Sequence, residues 1–183
     1  MSEGHSRTNF ASCVVATIFL SFIIIILLIL YFTLFKPHHP HIAVTSITLP
    51  SYSLSNSTLT FTFYQYSSVT NPNRDVFSHF DSSFQLFFAG AQVGFLFIPA
   101  GHIDAGRTQH IAATFTVNSF HLSTPPPTIL DPTNAVMAME METRMEMAGR
   151  VRVLHLFTHH VLVKAECRVA VSVTDGSVLG FRC

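Results

Sequence analysis

Apolar and polar residues alternate in the final third of the chain. Residues 137–147 read MAMEMETRMEM, in which every methionine occupies an odd position and every charged residue an even one. This two-residue period is typical of a half-buried strand. On a helix, at about 100° per residue, the same methionines would be spread around the whole circumference. Because helix propensity is only a weak prior, the spacing predicts a strand, and a helix is the alternative.

The odd apolar phase continues beyond Gly149 to Phe157. We therefore expect this glycine to bend one long strand rather than to end it. A loop is predicted at residues 158–160, because a three-residue loop pairs Phe157 with Val161 and keeps both apolar faces together. The odd phase then resumes and continues to Val173.

A second hairpin is predicted at Asp175-Gly176, which is a turn signal. The odd register then places Cys167 opposite Cys183. Cross-strand Cβ atoms lie about 4.5 to 5.5 Å apart, so a small adjustment permits a disulfide. Such a bond would contribute about 3 kcal/mol in the chain-entropy model and requires an oxidising compartment. The alternative is a pair of free thiols on a buried face.

Further strand-like segments precede this region, and turn signals separate them. They cover residues 42–49, 59–66, 84–88, 93–97 and 110–117. A proline-rich connection follows at residues 124–131, with one short helix expected after Asp131. The pattern predicts an all-β sandwich.

The amino-terminal region is different, because residues 10–35 carry no charge. As a helix this segment would rise about 39 Å, more than the roughly 30 Å of a bilayer core. The alternative is a signal peptide, which usually has a shorter apolar region and a small-residue cleavage site. We expect a tail at residues 1–9, a transmembrane helix at 10–35, a proline/histidine neck at 36–41 and the sandwich at 42–183.

Composition narrows the possible functions. The chain has 183 residues, with 10 Lys and Arg against 10 Asp and Glu, and its formal net charge is zero. No basic field is present to bind nucleic acid. The 49% hydrophobic content and the 18 phenylalanines are typical of a folded, membrane-linked protein. The lipid bilayer is therefore an expected partner, and nucleic acid is not.

Charge bias hardly decides the orientation of the anchor. Asn56-Ser57-Thr58 is an N-glycosylation sequon, which matters only on the lumenal side. Together with the predicted disulfide it favours a cytosolic amino terminus and an exoplasmic domain. Cys13, near one end of the span, is either an acylation site or an inert membrane cysteine.

Sequence motifs for catalysis are absent. The chain has no GxSxG, GxGxxG, HExxH or P-loop spacing. We therefore expect no enzyme, no cofactor and no metal. The 11 histidines include His38, His39 and His41 in the neck and His159 and His160 farther on. They are candidate metal ligands, or in the neck a pH-dependent contact with anionic head groups, but a flexible neck fixes no ligand geometry.

The order of these features resembles a plant family, the late embryogenesis abundant group-2 domain and its membrane-anchored harpin-induced-like members. The resemblance rests on the anchor, on NPN at Asn71-Pro72-Asn73, on the segment FQLFFAGAQVG, and on GRVRVLHLF followed by VLVKAECRVAVSV. It implies a fibronectin-like sandwich of two antiparallel sheets with about seven strands. It also implies a plasma-membrane protein linked to plant defence or stress, with no catalytic residues. We interpret NPN as a structural bend.

Two functions follow from this reading. The first is a membrane-tethered module that presents its sandwich to wall components or protein partners. The second is a lipid-binding or protective domain that accepts a hydrophobic ligand between its sheets. An apolar cavity lined by Phe95, Phe97, Met139 and Val169 would favour the second function, and a filled core with a patterned outer face would favour the first.

Overall fold

The computed structural model describes residues 4–34, 36–122, 128–130, 137–153 and 157–183. The chain divides into two compact units, Met1–Pro37 and His38–Cys183. The first unit contains the apolar helix, and the second contains every described strand.

The helix α1 (Gly4–Leu34) includes a stretch of 22 residues, Ser12–Thr33, that is long and apolar enough to cross a membrane. A signal sequence near an amino terminus has the same properties. Hydroxyl groups inside this stretch donate hydrogen bonds to carbonyls of the preceding turn, as Thr17 Oγ1 does to the Val14 oxygen at 2.8 Å. The polar side chain is therefore satisfied within the helix, which an apolar surrounding requires.

The second unit is built from antiparallel strands in two sheets. The strands are β1 (His41–Ser55), β2 (Thr58–Thr70), β3 (Phe77–His79), β4 (Ser82–Phe88), β5 (Ala91–Ile98), β6 (Gly101–Ile103), β7 (Thr108–His121), β8 (Thr128–Leu130), β9 (Met137–Val153), β10 (Phe157–Ser172) and β11 (Val178–Arg182). The small sheet has the order β1-β2-β7. The large sheet has the path β11-β10-β9-β3-β6, with β4 and β8 also paired to β9, and β5 paired to β4.

The predicted all-β sandwich is confirmed, with more strands than the seven or so implied by the resemblance. Several of the additional strands have only three residues, which is too short for a two-residue period to identify. The short helix expected after Asp131 lies outside the described residues.

The methionine-rich segment is a strand, as its spacing predicts. It forms the first part of β9, the central strand of the large sheet. Four of its methionines are buried in the core: Met139, Met141, Met145 and Met147. Gly149 remains inside the strand, where it pairs with Val161 and His79. A Cβ atom at this position would lie 2.5 Å from the Phe77 ring. This glycine allows β3 to approach β9 closely.

The hairpin between β9 and β10 turns earlier than the sequence predicts. Phe157 pairs with Val153, and Val161 pairs with Gly149, so residues 158–160 belong to β10 and the predicted loop there is wrong. Both pairings join odd positions to odd positions. The two-residue period fixes which face is buried, but it does not fix where the chain reverses.

The last hairpin turns at Asp175-Gly176, where Gly176 has a φ of 73°. Val169 pairs with Phe181, as the odd register predicts. A register shift then places Val178, rather than Leu179, opposite Val171. The shift leaves the pairing near Cys167 unchanged.

The small sheet also contacts this hairpin. The Tyr52 hydroxyl on β1 donates to the Val173 carbonyl at 2.9 Å. Burial and the nearby Asp175 carboxylate raise the pKa of Tyr52 above its usual value. The pKa of Asp175 is lowered by hydrogen bonds from Ser172 and Ser177. These contacts fix the turn against the edge of the small sheet.

Aromatic rings join the two sheets across the core. The centroid of Phe84 on the large sheet lies 5.5 Å from that of Phe115 on the small sheet, and Phe88 lies 5.6 Å from Phe120. Such separations are typical of favourable ring pairs. Together with the buried methionines they form one continuous core between the sheets.

Phe95 and Phe97 do not line this interior. On β5 the buried residue is Ile98, whereas Phe95 and Phe97 point outward. The reason is the register of the β4–β5 hairpin, in which the buried Phe84 pairs with Leu96 and the outward Ser83 pairs with Phe97. The four residues Phe95, Phe97, Met139 and Val169 therefore do not line one cavity, which was the observation that would have favoured the lipid-binding function.

Candidate functional site

The Asn-Pro-Asn motif begins with a fully buried side chain. Asn71 is 0% exposed. Its Nδ2 atom lies 2.9 Å from the Asp75 carbonyl oxygen, 3.0 Å from that of Ile103 and 3.2 Å from that of Asp104. One amide group therefore joins the segment that follows the motif, through Asp75, to the end of β6 and the turn after it, through Ile103 and Asp104. The Asp104 carbonyl also accepts from the Arg107 N–H at 3.1 Å.

Asn73 connects this group to the beginning of the sandwich unit. Its backbone N–H and its Nδ2 both donate to Asn71 Oδ1, at 3.1 and 2.9 Å. The His38 N–H donates to Asn73 Oδ1 at 2.8 Å, and Asn73 Nδ2 donates to the His38 carbonyl at 2.8 Å. The Asn73 side chain thus bonds both backbone groups of His38, as a neighbouring strand would.

We call Asn71, Asn73 and the backbone groups they bond the Asn hub. The hub agrees with the interpretation of the motif as a structural bend. Its bond to His38 was not predicted, because the two residues are 35 positions apart and no periodic pattern relates them. The chain enters the sandwich through a held peptide, not through a free linker.

The sequon lies at the tip of the β1–β2 hairpin. Asn56 and Ser57 have φ angles of 49° and 60°, as a two-residue type I′ turn requires. Asn56 is exposed, and the Thr58 hydroxyl lies 3.1 Å from His121 Nδ1. This position is accessible to a glycan. Its modification remains a prediction.

The carboxy-terminal cysteines are bonded, with Cys167 Sγ 2.02 Å from Cys183 Sγ. The bond joins β10 to the residue that follows β11, at the positions that the odd register places opposite each other. Cys167 is buried. Cys13, on the helix, is free and exposed.

The histidines form no metal centre among the described residues. His38 is held through its backbone, and His159 and His160 lie exposed on β10 rather than in a loop. The binding of head groups by the neck histidines stays a prediction.

The outer face of the large sheet carries two different surfaces. The first is a charge ladder on β9 and β10, in which Arg144 Nε lies 2.7 Å from Glu142 and Lys164 Nζ lies 2.6 Å from Glu146. The Arg144 guanidinium also lies 4.9 Å from the centroid of the Phe87 ring. The hydrogen bond and charge of Glu142 raise the pKa of Arg144. The charges in these pairs neutralise each other, and ion pairs exposed in this way contribute little to stability.

The second surface is apolar. Phe80, Phe95, Phe97 and Leu162 are 45%, 57%, 55% and 55% exposed, and we call them the outer patch. Phe95, Phe97 and Leu162 line one shallow pocket of about 310 Å³. Contiguous exposed apolar residues of this kind mark interaction sites more often than isolated ones do.

The topology explains why these four residues lie together. The Phe80 N–H donates to the Ala148 carbonyl at 2.7 Å, and Ala148 is the strand partner of Leu162. Across the sheet, Phe97 pairs with Ser83, and Ser83 pairs with Glu146. The patch therefore spans β5, β4, β9 and β10, and no single segment of sequence contains it.

β5 is also an edge of the large sheet, because among the described strands it pairs only with β4. Its sequence AQVGFLFI has no charged residue. By contrast, the edge strand β1 contains Pro50 and two register shifts, which are devices that discourage further strand pairing. β5 lacks the charge and the proline that protect other edges, and its pairing with β4 has one register shift, between Leu86 and Phe87.

These features define an antiparallel β-sandwich with a membrane-length apolar helix, a disulfide and an apolar outer patch. Residues 66–167 match the family model for late embryogenesis abundant proteins. The match covers more than half of the chain, so the chain belongs to the late embryogenesis abundant family. The family and the apolar helix fit a stress-related domain.

Solved structures with a similar arrangement were also found. A solution structure described as a late embryogenesis abundant (LEA) protein is 14% identical, covers 75% of this chain and 74% of its own, and gives a TM-score of 0.40. A solution structure from Arabidopsis thaliana is 15% identical over 71% of this chain and 85% of its own, with a TM-score of 0.36. The comparison with curated proteins gave no significant match. The family assignment rests on the family model.

Proposed function

We propose that this chain is a single-pass plasma-membrane protein that presents its sandwich outside the cell as a non-catalytic interaction module in plant defence or stress. The observation that carries the proposal is the outer patch. Its four side chains are exposed on a sheet whose inner face is packed, and they face away from that core. A protein partner at this surface would remove the apolar area from water.

The interior supports this function over the lipid-handling one. Met139 and Val169 are buried in the common core, and Phe95 and Phe97 lie on the opposite face of the large sheet. The side chains proposed to line a lipid cavity are therefore separated by a layer of backbone. Of these four side chains, a hydrophobic partner at the outer face meets only Phe95 and Phe97.

Exoplasmic topology is supported by two features of the sandwich. Disulfides persist in oxidising compartments, and the Cys167–Cys183 bond lies in this unit. Asn56 is exposed at a hairpin tip, where a glycan is sterically tolerated. We expect endoglycosidase treatment of the full chain from plant cells to increase its mobility in gel electrophoresis. The Asn56→Gln variant, as control, would migrate without this shift, and an unshifted native chain would contradict the topology.

The interaction function is tested by a photo-crosslinking amino acid placed at Phe97 in the full chain in intact cells. The matched control places it at Tyr66, an aromatic residue of the small sheet that is 47% exposed. We expect a discrete protein adduct from position 97, none from position 66, and loss of the first adduct in a Phe95→Ser background. Lipid adducts at position 97 with no protein adduct would contradict the interaction function and favour the lipid-binding one.

A further inference from the structure

The geometry points to the kind of partner that the outer patch accepts. We propose that it binds an extended segment of a partner protein in which an arginine stands beside apolar residues. This inference rests on the proposed interaction function and names its partner class. Three observations carry it: the charge of the pocket, an internal example of the same contact, and the free edge of β5.

The charged residues that line the pocket between Phe95, Phe97 and Leu162 are both acidic, Asp81 and Glu146. Glu146 belongs to the charge ladder, where its Oε1 atom lies 2.6 Å from Lys164 Nζ. Asp81 accepts one hydrogen bond, from the Ala100 N–H at 2.9 Å, and no cation near it is found in the described part of the chain. The site therefore retains a net negative charge that a cationic side chain would complement.

The same sheet already shows how an arginine binds such a surface. Arg144 places its guanidinium 4.9 Å from the Phe87 centroid while its Nε donates to Glu142. The contact combines a ring face with an adjacent carboxylate, which favours arginine over lysine because the planar group can stack and donate at once. Phe97 and Glu146 lie in one row of the sheet, with Ser83 between them. An incoming arginine would find the exposed Phe97 ring and, two strands away, the Glu146 carboxylate, which also pairs with Lys164. Asp81 is the second carboxylate of the same pocket.

The edge of β5 favours an extended partner. Its outward backbone groups have no strand partner among the described residues, and an added strand would satisfy them. Alternate residues of such a strand face the same side as Phe95 and Phe97. A segment in which apolar and basic residues alternate would therefore present its side chains to the patch.

The test uses the full chain in phosphatidylcholine nanodiscs and a fluorescent peptide of alternating valine and arginine. Two matched peptides carry glutamate or citrulline in place of arginine. We expect the arginine peptide to bind about tenfold more tightly than the glutamate peptide and about threefold more tightly than the citrulline peptide, because citrulline keeps the shape but loses the charge. Asp81→Asn should reduce the preference for arginine over citrulline.

The double variant Phe95→Ser/Phe97→Ser should remove most of the binding, whereas Tyr66→Ser should leave it unchanged. Equal binding of the three peptides, or unchanged binding by the double variant, would overturn the inference. The photo-crosslinking result is independent of peptide chemistry. A protein adduct at position 97 without an arginine preference would therefore overturn the partner class alone and leave the interaction function standing.

Discussion

The Asn hub and the outer patch depart in opposite ways from the usual distribution, in which polar side chains are exposed and large apolar side chains are buried. The hub buries amides, and the patch exposes large apolar side chains. In the hub, the Asn71 and Asn73 amide atoms all have partners within the sandwich unit. In the patch, the four apolar side chains remain substantially exposed.

This difference distinguishes residues that the fold requires from residues that are available to a partner. A buried amide costs free energy unless it is hydrogen-bonded, so a satisfied hub is part of what the fold requires. An exposed apolar group contributes little to the folded state and is available to a partner. If this comparison is correct, variants of the hub lower stability and variants of the patch do not.

The largest effect is expected for Asn71→Ala. The substitution removes the donor to three carbonyls and the acceptor for Asn73. The Asp104 carbonyl keeps the Arg107 N–H at 3.1 Å, and each buried group that is left without a partner costs about 1 to 3 kcal/mol. We expect the free energy of unfolding to fall by about 3 to 5 kcal/mol in urea denaturation of the sandwich unit within the full chain. The control is Asn118→Ala, an exposed asparagine on β7. A loss below about 1 kcal/mol for Asn71→Ala would show that the hub is not required.

The next largest loss of stability is expected when the disulfide, which cross-links β10 to the residue that follows β11, is removed. It joins residues 16 positions apart, and the chain-entropy model gives about 3 kcal/mol for a loop of this length. Cys183→Ser should lower the free energy of unfolding by about this amount and make stability insensitive to reductant. Cys13→Ser is the matched control. Equal reductant sensitivity in Cys183→Ser and the native chain would contradict the assignment.

The sequence predicted the phase of β9 and the cysteine pairing, because both follow from a period of two. It did not predict the position of the β9–β10 turn, because pairing Phe157 with Val153 or with Val161 keeps the same faces buried. The outward orientation of Phe97 was also missed, because it depends on the register with Ser83 on another strand. The two-residue pattern shows which residues of a strand share a face. The packing of the neighbouring strands determines which of the two faces is buried.

The components of both sites were visible in the sequence, but their assembly was not. Asn71 and Asn73 were identified as a turn, yet the bond to His38 spans 35 positions. The outer patch draws its residues from β5, from β10 and from the connection between β3 and β4, and no spacing relates Phe80 to Leu162. A site built across strands becomes apparent only when the register of every pair is known.

Asn73→Ala should have a smaller effect than Asn71→Ala and should separate the two parts of the hub. The variant loses the bonds to His38, while the Asn71 amide keeps its three carbonyls. We expect a loss of about 1 to 2 kcal/mol in the free energy of unfolding. Limited proteolysis should cut the neck at residues 36–41 faster than in the native chain, because the His38 peptide is no longer held. Unchanged cleavage would show that Asn73 does not fix the entry of the chain.

Phe97→Ser should change stability least, and it tests the comparison most directly. The side chain is 55% exposed on an edge strand, so its removal should change the free energy of unfolding by less than about 0.5 kcal/mol. The matched core variant is Phe84→Ser on the neighbouring strand, where loss of a fully buried ring should cost about 3 to 5 kcal/mol. If both variants lower the free energy of unfolding by the same amount, Phe97 is a structural residue and the patch is not a free surface. Native stability of Phe97→Ser, together with loss of the position-97 adduct in the Phe95→Ser background, would instead assign the exposed phenylalanines to binding, because side chains that the fold does not need are then needed by the partner.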